Sequence, residues 1–327
     1  MILLNNKTRV VGVDITLART TCAVVDIRGE VLDTRQFTTI DHPNISEYVS
    51  ALTNEIQALL EANGGYEAIR SVGISTPSGN YRAGCIENAP NMPWKGVVPL
   101  AAMLRDRLGL AVALANNAHV TALGEQAFGA AHGMRDFVVV SIGHGLGSCF
   151  FSNGSAHLGA DGFAGEVGHT CVVLNGRECG CGKRGCLETY VAANGIVRTA
   201  NELMAERPDV ATKMRDVADL TPKMISSFCE SGDELAIETF RRAGYRLGIG
   251  LAFYASVVNP EAFIFTGGVS HAGKWLLEPA CESFDSHVFH NLQGKVKFIM
   301  SSLDDHIRNV LGASALAWTV QEYSLFK

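Results

Sequence analysis

Apolar and polar positions alternate with two different periods along this chain. Residues 9–15 (RVVGVDI) form a short apolar run that ends next to an acid, the pattern of a strand. A second run at 21–27, a turn at Arg28-Gly29-Glu30 and a third run at 31–39 make a strand–turn–strand–turn–strand ribbon. Ile45, Val49, Leu52, Ile56, Leu59 and Leu60 recur at helical spacing and predict an amphipathic helix over 45–63. Strands are predicted at 69–74 and 110–114, a helix between them at 100–108, and an alanine-rich helix at 118–131.

The opening pattern then returns. An apolar strand at 137–142 runs into Gly143-His144-Gly145-Leu146-Gly147, a strand follows at 148–152, and Asn153-Gly154 is a hairpin signal before 155–158. One ribbon unit therefore occurs twice, which predicts two similar lobes with a cleft between them. Residues 191–246 read as helices broken by Pro208, Pro222 and Gly232, followed by an apolar helix at 247–258 that stops at Asn259-Pro260. A strand at 262–265 leads into Thr266-Gly267-Gly268, a late strand is predicted at 296–300, and an alanine-rich helix closes the chain at 312–320. Strands alternating with helices define an α/β class.

Composition narrows the function. The 327 residues are 47% hydrophobic and 18% charged, enough apolar material for more than one core. The net charge of −6 argues against a nucleic-acid binder, whose affinity comes largely from neutralising phosphates. No segment is long and apolar enough for a bilayer span and the start lacks a leader's apolar stretch, so a cytoplasmic location and no membrane partner are expected. In that compartment nine cysteines suit metal binding and burial better than disulfides.

The cysteines are concentrated in one place. Gly168-His169-Thr170 precedes Cys179-Gly180-Cys181-Gly182-Lys183-Arg184-Gly185-Cys186-Leu187-Glu188. Three thiols within eight residues, separated by glycines that allow sharp turns, converge readily on one point, and His169 completes a Cys₃His set suited to structural zinc. Cys22, Cys85, Cys149, Cys171, Cys229 and Cys281 sit in mostly apolar contexts, where burial is the default.

The segment 168–188 resembles the ROK family of repressors and sugar kinases, whose pattern is Gly-His, a short gap, then Cys-x-Cys-Gly-x-x-Gly-Cys-Leu-Glu. Glu166-Val167-Gly168-His169, Asn88-Ala89-Pro90-Asn91 with Trp94, Thr266-Gly267-Gly268-Val269-Ser270 and Gly312-Ala313 extend the resemblance along the chain. It implies the two-lobed actin and hexokinase (ribonuclease H-like) ATPase fold with a zinc-stabilised loop. The lobes would be 1–117 and 118–308, the second holding the zinc loop (169–186) and the helical segment (191–258), with 309–327 returning to the first. Asn91, Asn116, Glu166, His169 and Glu188 would hold a hexose or N-acetylhexosamine. His169, Cys179, Cys181 and Cys186 would hold zinc. Gly143, Gly145, Gly267 and Gly268 would face ATP, and Asp14 would orient Mg²⁺. A homodimer is the family habit.

Three motifs on the phosphate side depart from the family. Asn117, in Asn116-Asn117-Ala118-His119, stands where the kinases carry the aspartate base, and a neutral amide cannot accept a hydroxyl proton. The first ribbon's turn has Thr16 and Leu17 in place of glycines, and His144 replaces a threonine in the second. The resemblance thus implies an ATP:sugar phosphotransferase, acting at the 6-hydroxyl and slowed by Asn117. The alternative is a sugar-binding sensor without catalysis. A repressor is disfavoured because only eight residues precede the first strand.

Overall fold

The structure, a computed structural model, describes residues 7–89 and 92–320. It opens with the expected ribbon. β1 (Arg9–Ile15), β2 (Arg19–Asp26) and β3 (Val31–Thr38) pair antiparallel, with Asp14 opposite Thr21. Helix α1 (Ile45–Ala62) starts at Asn44, whose side chain accepts from the N–H groups of Ser46 and Glu47, and it buries Tyr48, Val49, Leu52, Ile56 and Leu59. β4 (Ile69–Thr76) pairs parallel with β1. A small sheet of β5 (Gly79–Asn80), β6 (Cys85–Glu87) and β7 (Val97–Val98) follows, a feature without a sequence signal. After α2 (Leu100–Leu108), β8 (Ala111–Asn116) adds parallel to β4, giving the order β3-β2-β1-β4-β8.

α3 (Asn117–Phe128) begins directly at the end of β8 because the Asn116 side chain accepts from the Ala118 N–H at 2.9 Å. The second ribbon then repeats the first. β9 (Phe137–Ile142), β10 (Leu146–Ser152) and β11 (Ser155–Ala156) are antiparallel. α4 (Glu188–Val191), α5 (Ala193–Glu206), α6 (Pro222–Glu230) and α7 (Glu234–Val258) lead to β12 (Ala262–Thr266), which runs parallel to β9. α8 (Lys274–His287) precedes β13 (Lys297–Met300), parallel to β12. The order β11-β10-β9-β12-β13 matches that of the first sheet strand for strand, with the same directions.

Two helices differ from the sequence reading. The apolar segment 247–258 is the second half of one 25-residue helix, α7, with no break at 246. Gly244 and Gly248 let α7 pack closely on α8, where a Cβ would strike the backbone near Leu276 and Ala280. The segment 274–287 carries no clear helical signal because Pro279 interrupts it, yet it forms α8.

The closing helix, α9 (Arg308–Thr319), packs on β1, β4 and α3. By their contacts, residues 1–133 with 302–327 form one unit and 134–301 the other. α3 thus belongs with the first unit, although the resemblance set the boundary at 117, because it packs on α9. The first core gathers Tyr48, Leu52, Ile74 and Trp94; the second gathers Phe240, Leu251, Phe263 and Phe284. Among the described residues no helix is long and apolar enough to cross a membrane.

Candidate functional site

The four predicted metal ligands come together in the second unit. The donor atoms of His169, Cys179, Cys181 and Cys186 all lie within 4.8 Å of one another. Cys179 Sγ is 3.6 Å from His169 Nδ1, and Cys181 Sγ is 3.7 Å from Cys186 Sγ. Tetrahedral zinc with Zn–S of about 2.3 Å and Zn–N of about 2.0 Å places its ligand atoms roughly 3.5–3.8 Å apart, so the donor set fits that ion. The loop is held by its own backbone hydrogen bonds. The Cys179 N–H donates to the Lys183 carbonyl at 2.9 Å and the Gly182 N–H to the Cys179 carbonyl at 3.0 Å. Gly182 and Gly185 have φ of +86° and +80°, and a side chain at Gly185 would collide with the Val173 carbonyl. A backbone hydrogen bond at Lys183 and the Cys179 side chain lower the Cys181 thiol to about 7, whereas burial pushes Cys186 up to about 12.

The carboxylates stand beside this loop. Glu166 precedes the turn Val167–His169, whose His169 N–H donates to the Glu166 carbonyl at 3.1 Å. Gly168 lets that turn lie against the Leu146 backbone. Glu188 is the first residue of α4, and its Oε2 accepts from the Leu146 N–H at 2.9 Å. Burial raises the pKa of Glu166; nearby Glu188 adds to the rise and His169 opposes it. Glu166, His169 and Glu188 therefore form one cluster. With Nδ1 of His169 turned to the thiols, Nε2 is on the ring edge away from them.

The two glycine turns lie side by side because β9 and β12 are neighbours, with Ser141 opposite Thr266. The Gly143 N–H donates to the Gly145 carbonyl at 2.9 Å and the Val269 N–H to the Ile142 carbonyl at 3.0 Å. Gly267 has φ +86°, and its Cβ position is occupied by the Ile142 backbone. Gly143 and Gly268 line a cavity of about 680 Å³ together with His144, Lys223 and His271. Sequence reasoning missed Lys223 and His271, which come from separate elements; Thr221-Pro222, a helix-start pair, was the available signal for the first.

The first unit brings Asp14 and Asn117 to one end of its sheet. Asp14 and Ser75 are register partners near the C-terminal ends of β1 and β4. Ser75 Oγ donates to Asn117 Oδ1 at 3.2 Å. Burial raises the pKa of Asp14, opposed by the side chains of Asn309 and Ser75 and by Arg19. Asp14 Oδ1 is buried without a hydrogen-bond partner among the described residues, an acceptor that suits a cation such as Mg²⁺. Ser75 and Asn309 had no sequence signal. Asn91, and Pro90 before it, lie outside the described residues. Trp94 is a core residue, its ring 4.3 Å from Tyr48 and its Nε1 donating to the His42 carbonyl.

The sequence model of the ROK family matches residues 10–320. A glucokinase of Halalkalibacterium halodurans is 31% identical over 322 residues, 95% of this chain and 94% of that one. A xylose repressor of Caldicellulosiruptor bescii is 30% identical over 252 residues, 76% of this chain and 63% of the repressor. The crystal structure of a ROK glucokinase from Streptomyces griseus with glucose and AMPPNP is 31% identical and aligns over 95% of this chain and all of its own, with a TM-score of 0.77.

Proposed function

The chain belongs to the ROK family, and from that premise we propose that it is a sugar kinase of the glucokinase kind. It transfers the γ-phosphoryl group of ATP to the 6-hydroxyl of a hexose or N-acetylhexosamine. The observation that carries this reading is the clustering of Glu166, His169 and Glu188 beside a donor set suited to zinc, in a chain 31% identical to a glucokinase over nearly its whole length.

Each sugar hydroxyl is both donor and acceptor, and the residues that the resemblance assigns to hold them are Glu166, Glu188, His169, Asn116 and Asn91. When bound, zinc supplies a closed coordination that fixes the ring of His169 and the loop around it. By the family resemblance, Gly143, Gly145, Gly267 and Gly268 would let backbone approach the nucleotide, and Asp14 would hold Mg²⁺. Asn117 positions the attacking hydroxyl without taking its proton. Lacking that base, turnover is slower by about 10²–10⁴-fold. The protein acts as a homodimer, as the family resemblance implies.

The test is an ATP-coupled assay over a panel of hexoses and N-acetylhexosamines, with Asn117→Asp alongside. Slow turnover by the wild type and faster turnover by Asn117→Asp are expected. Failure of both proteins to bind or phosphorylate any sugar would falsify the reading. Sugar binding without turnover in either would select the second reading, a non-catalytic sugar sensor. That alternative is favoured by Asn117, by Thr16 and Leu17 in the first turn, and by the similarity to a xylose repressor.

A further inference from the structure

We propose that the donor cavity of the second unit recognises the phosphate chain of its nucleotide and is indifferent to the purine base, so that ATP, GTP and ITP are taken alike. This rests on the kinase reading and names the substrate class of its donor site.

The charge of the cavity is one-sided. Its lining includes His144 from the β9–β10 turn, Lys223 from the first turn of α6 and His271 from the turn Ser270–Ala272, and no carboxylate. Lys223 is the one formal charge of this lining, a cation in a chain of net charge −6, and it favours an anion. Lys223 is exposed, and its ammonium is a compact charge suited to phosphate.

The rest of the wall holds a ring without reading it. Ala193, Pro222, Val269 and Ala272 offer apolar surface, which takes up a flat purine by area alone. Four of the nearby backbone donors are already engaged: Gly143 N–H with the Gly145 carbonyl at 2.9 Å, Ala193 N–H with Gly143 at 2.8 Å, Val269 N–H with Ile142 at 3.0 Å and Ala272 N–H with Val269 at 3.1 Å. Beside the imidazoles of His144 and His271, two hydroxyls line the cavity. Thr221 Oγ1 accepts from the Met224 N–H at 3.3 Å as the cap of α6. Ser226 has a rotatable hydroxyl that donates or accepts as required, so it serves the amino group of adenine and the carbonyl of guanine or hypoxanthine equally. The lining holds no Asn, Gln, Asp or Glu, the side chains that make paired contacts with a base edge. A site that reads no polar group of the base gives little discrimination, whereas one built to pair with it rejects analogues by about 10⁴–10⁵-fold.

Calorimetry on the full chain with ATP, GTP, ITP and inorganic tripolyphosphate tests this, with Lys223→Ala as the variant. Lys223 is a surface residue, so its removal leaves the fold intact. The three nucleotides are expected to bind within about tenfold of one another, tripolyphosphate to compete with them, and Lys223→Ala to weaken all four by a common factor of about tenfold or more. ATP binding more than about 100-fold tighter than GTP and ITP, or binding unchanged in Lys223→Ala, overturns the inference and leaves the kinase reading standing. If none of the four binds, the donor site of the kinase reading falls and the inference with it.

Discussion

Glu188 Oε2 accepts a hydrogen bond from the backbone N–H of Leu146 at 2.9 Å. This contact joins the end of the cysteine loop to the start of β10, immediately after the second glycine turn. It also explains Gly145: a Cβ there would stand 2.7 Å from the same carboxylate oxygen. A residue of the sugar cluster and a glycine of the donor turn are thus held in one geometry. Displacing either disturbs both.

Glu188→Gln and Gly145→Ala therefore share a phenotype. Gln can place a neutral oxygen at Oε2 but loses the charge-assisted bond, which is worth about 1.5–3 kcal/mol. Sugar affinity is expected to fall about tenfold or more in Glu188→Gln. Gly145→Ala, which pushes the carboxylate aside, is expected to lower it without removing any donor or acceptor. Calorimetry with the preferred sugar measures both, and full affinity in Gly145→Ala would dissociate the glycine from the sugar cluster.

The cysteine loop is expected to carry about one zinc per chain, as a closed Cys₃His set requires. Cys181→Ser removes one thiolate from the set, and Cys171→Ser removes a thiol outside it. Elemental analysis should find the metal lost from the first and kept in the second. The midpoint of thermal unfolding should fall with the metal, because the binding energy of such a site is folding energy. Equal zinc in both variants would refute the donor set.

The legible parts of this molecule are the local ones. The two ribbons were readable because each strand pairs with the next through a short turn, and the cysteine cluster because its ligands crowd into a few residues of chain. The joining of β4 and β8 to β1 depends on crossovers, which leave no mark in a short window. α8 was hidden by Pro279, and the continuity of α7 by glycines that exist for packing on α8 rather than for a turn. The same limit holds at the sites. Glu166, His169 and Glu188 belong to one motif, whereas Ser75 beside Asn117, and Lys223 and His271 in the donor cavity, meet only through the fold.

Burial lowers the pKa of His119 to about 4, and its ring packs edge-on against Tyr81 at 5.5 Å. The unfolded value is about 6.5. A histidine with a depressed folded pKa leaves stability intact above the unfolded value. Between about 6.5 and 4 the unfolded chain binds a proton that the native state refuses, so stability falls with pH across that window. The loss reaches at most about 3 kcal/mol, less where solvent screens the half-buried ring. His119→Phe keeps the ring and abolishes the titration. Urea midpoints measured from pH 7 down to about 5 should decline less in the variant than in the wild type, and parallel declines would remove His119 as a source of acid sensitivity.

Gly12 and Gly73 are register partners on β1 and β4, and α9 rests on both. A Cβ at Gly12 would collide with the Val310 carbonyl, and one at Gly73 with the Ala313 carbonyl and, at 2.7 Å, the Ala317 N–H. The obstacles are helix backbone, which cannot swing aside as a side chain does. Either Gly→Ala change must lift α9 from the sheet, opening the packing of Val10, Val25, Leu311 and Ala317 beneath it. Overpacking of this kind costs about 1–3 kcal/mol or more. Both single variants are expected to unfold at lower urea than the wild type. Because both changes lift the same helix, the double variant should lose less than the sum of the two. Additive losses would show that α9 meets the two strands independently.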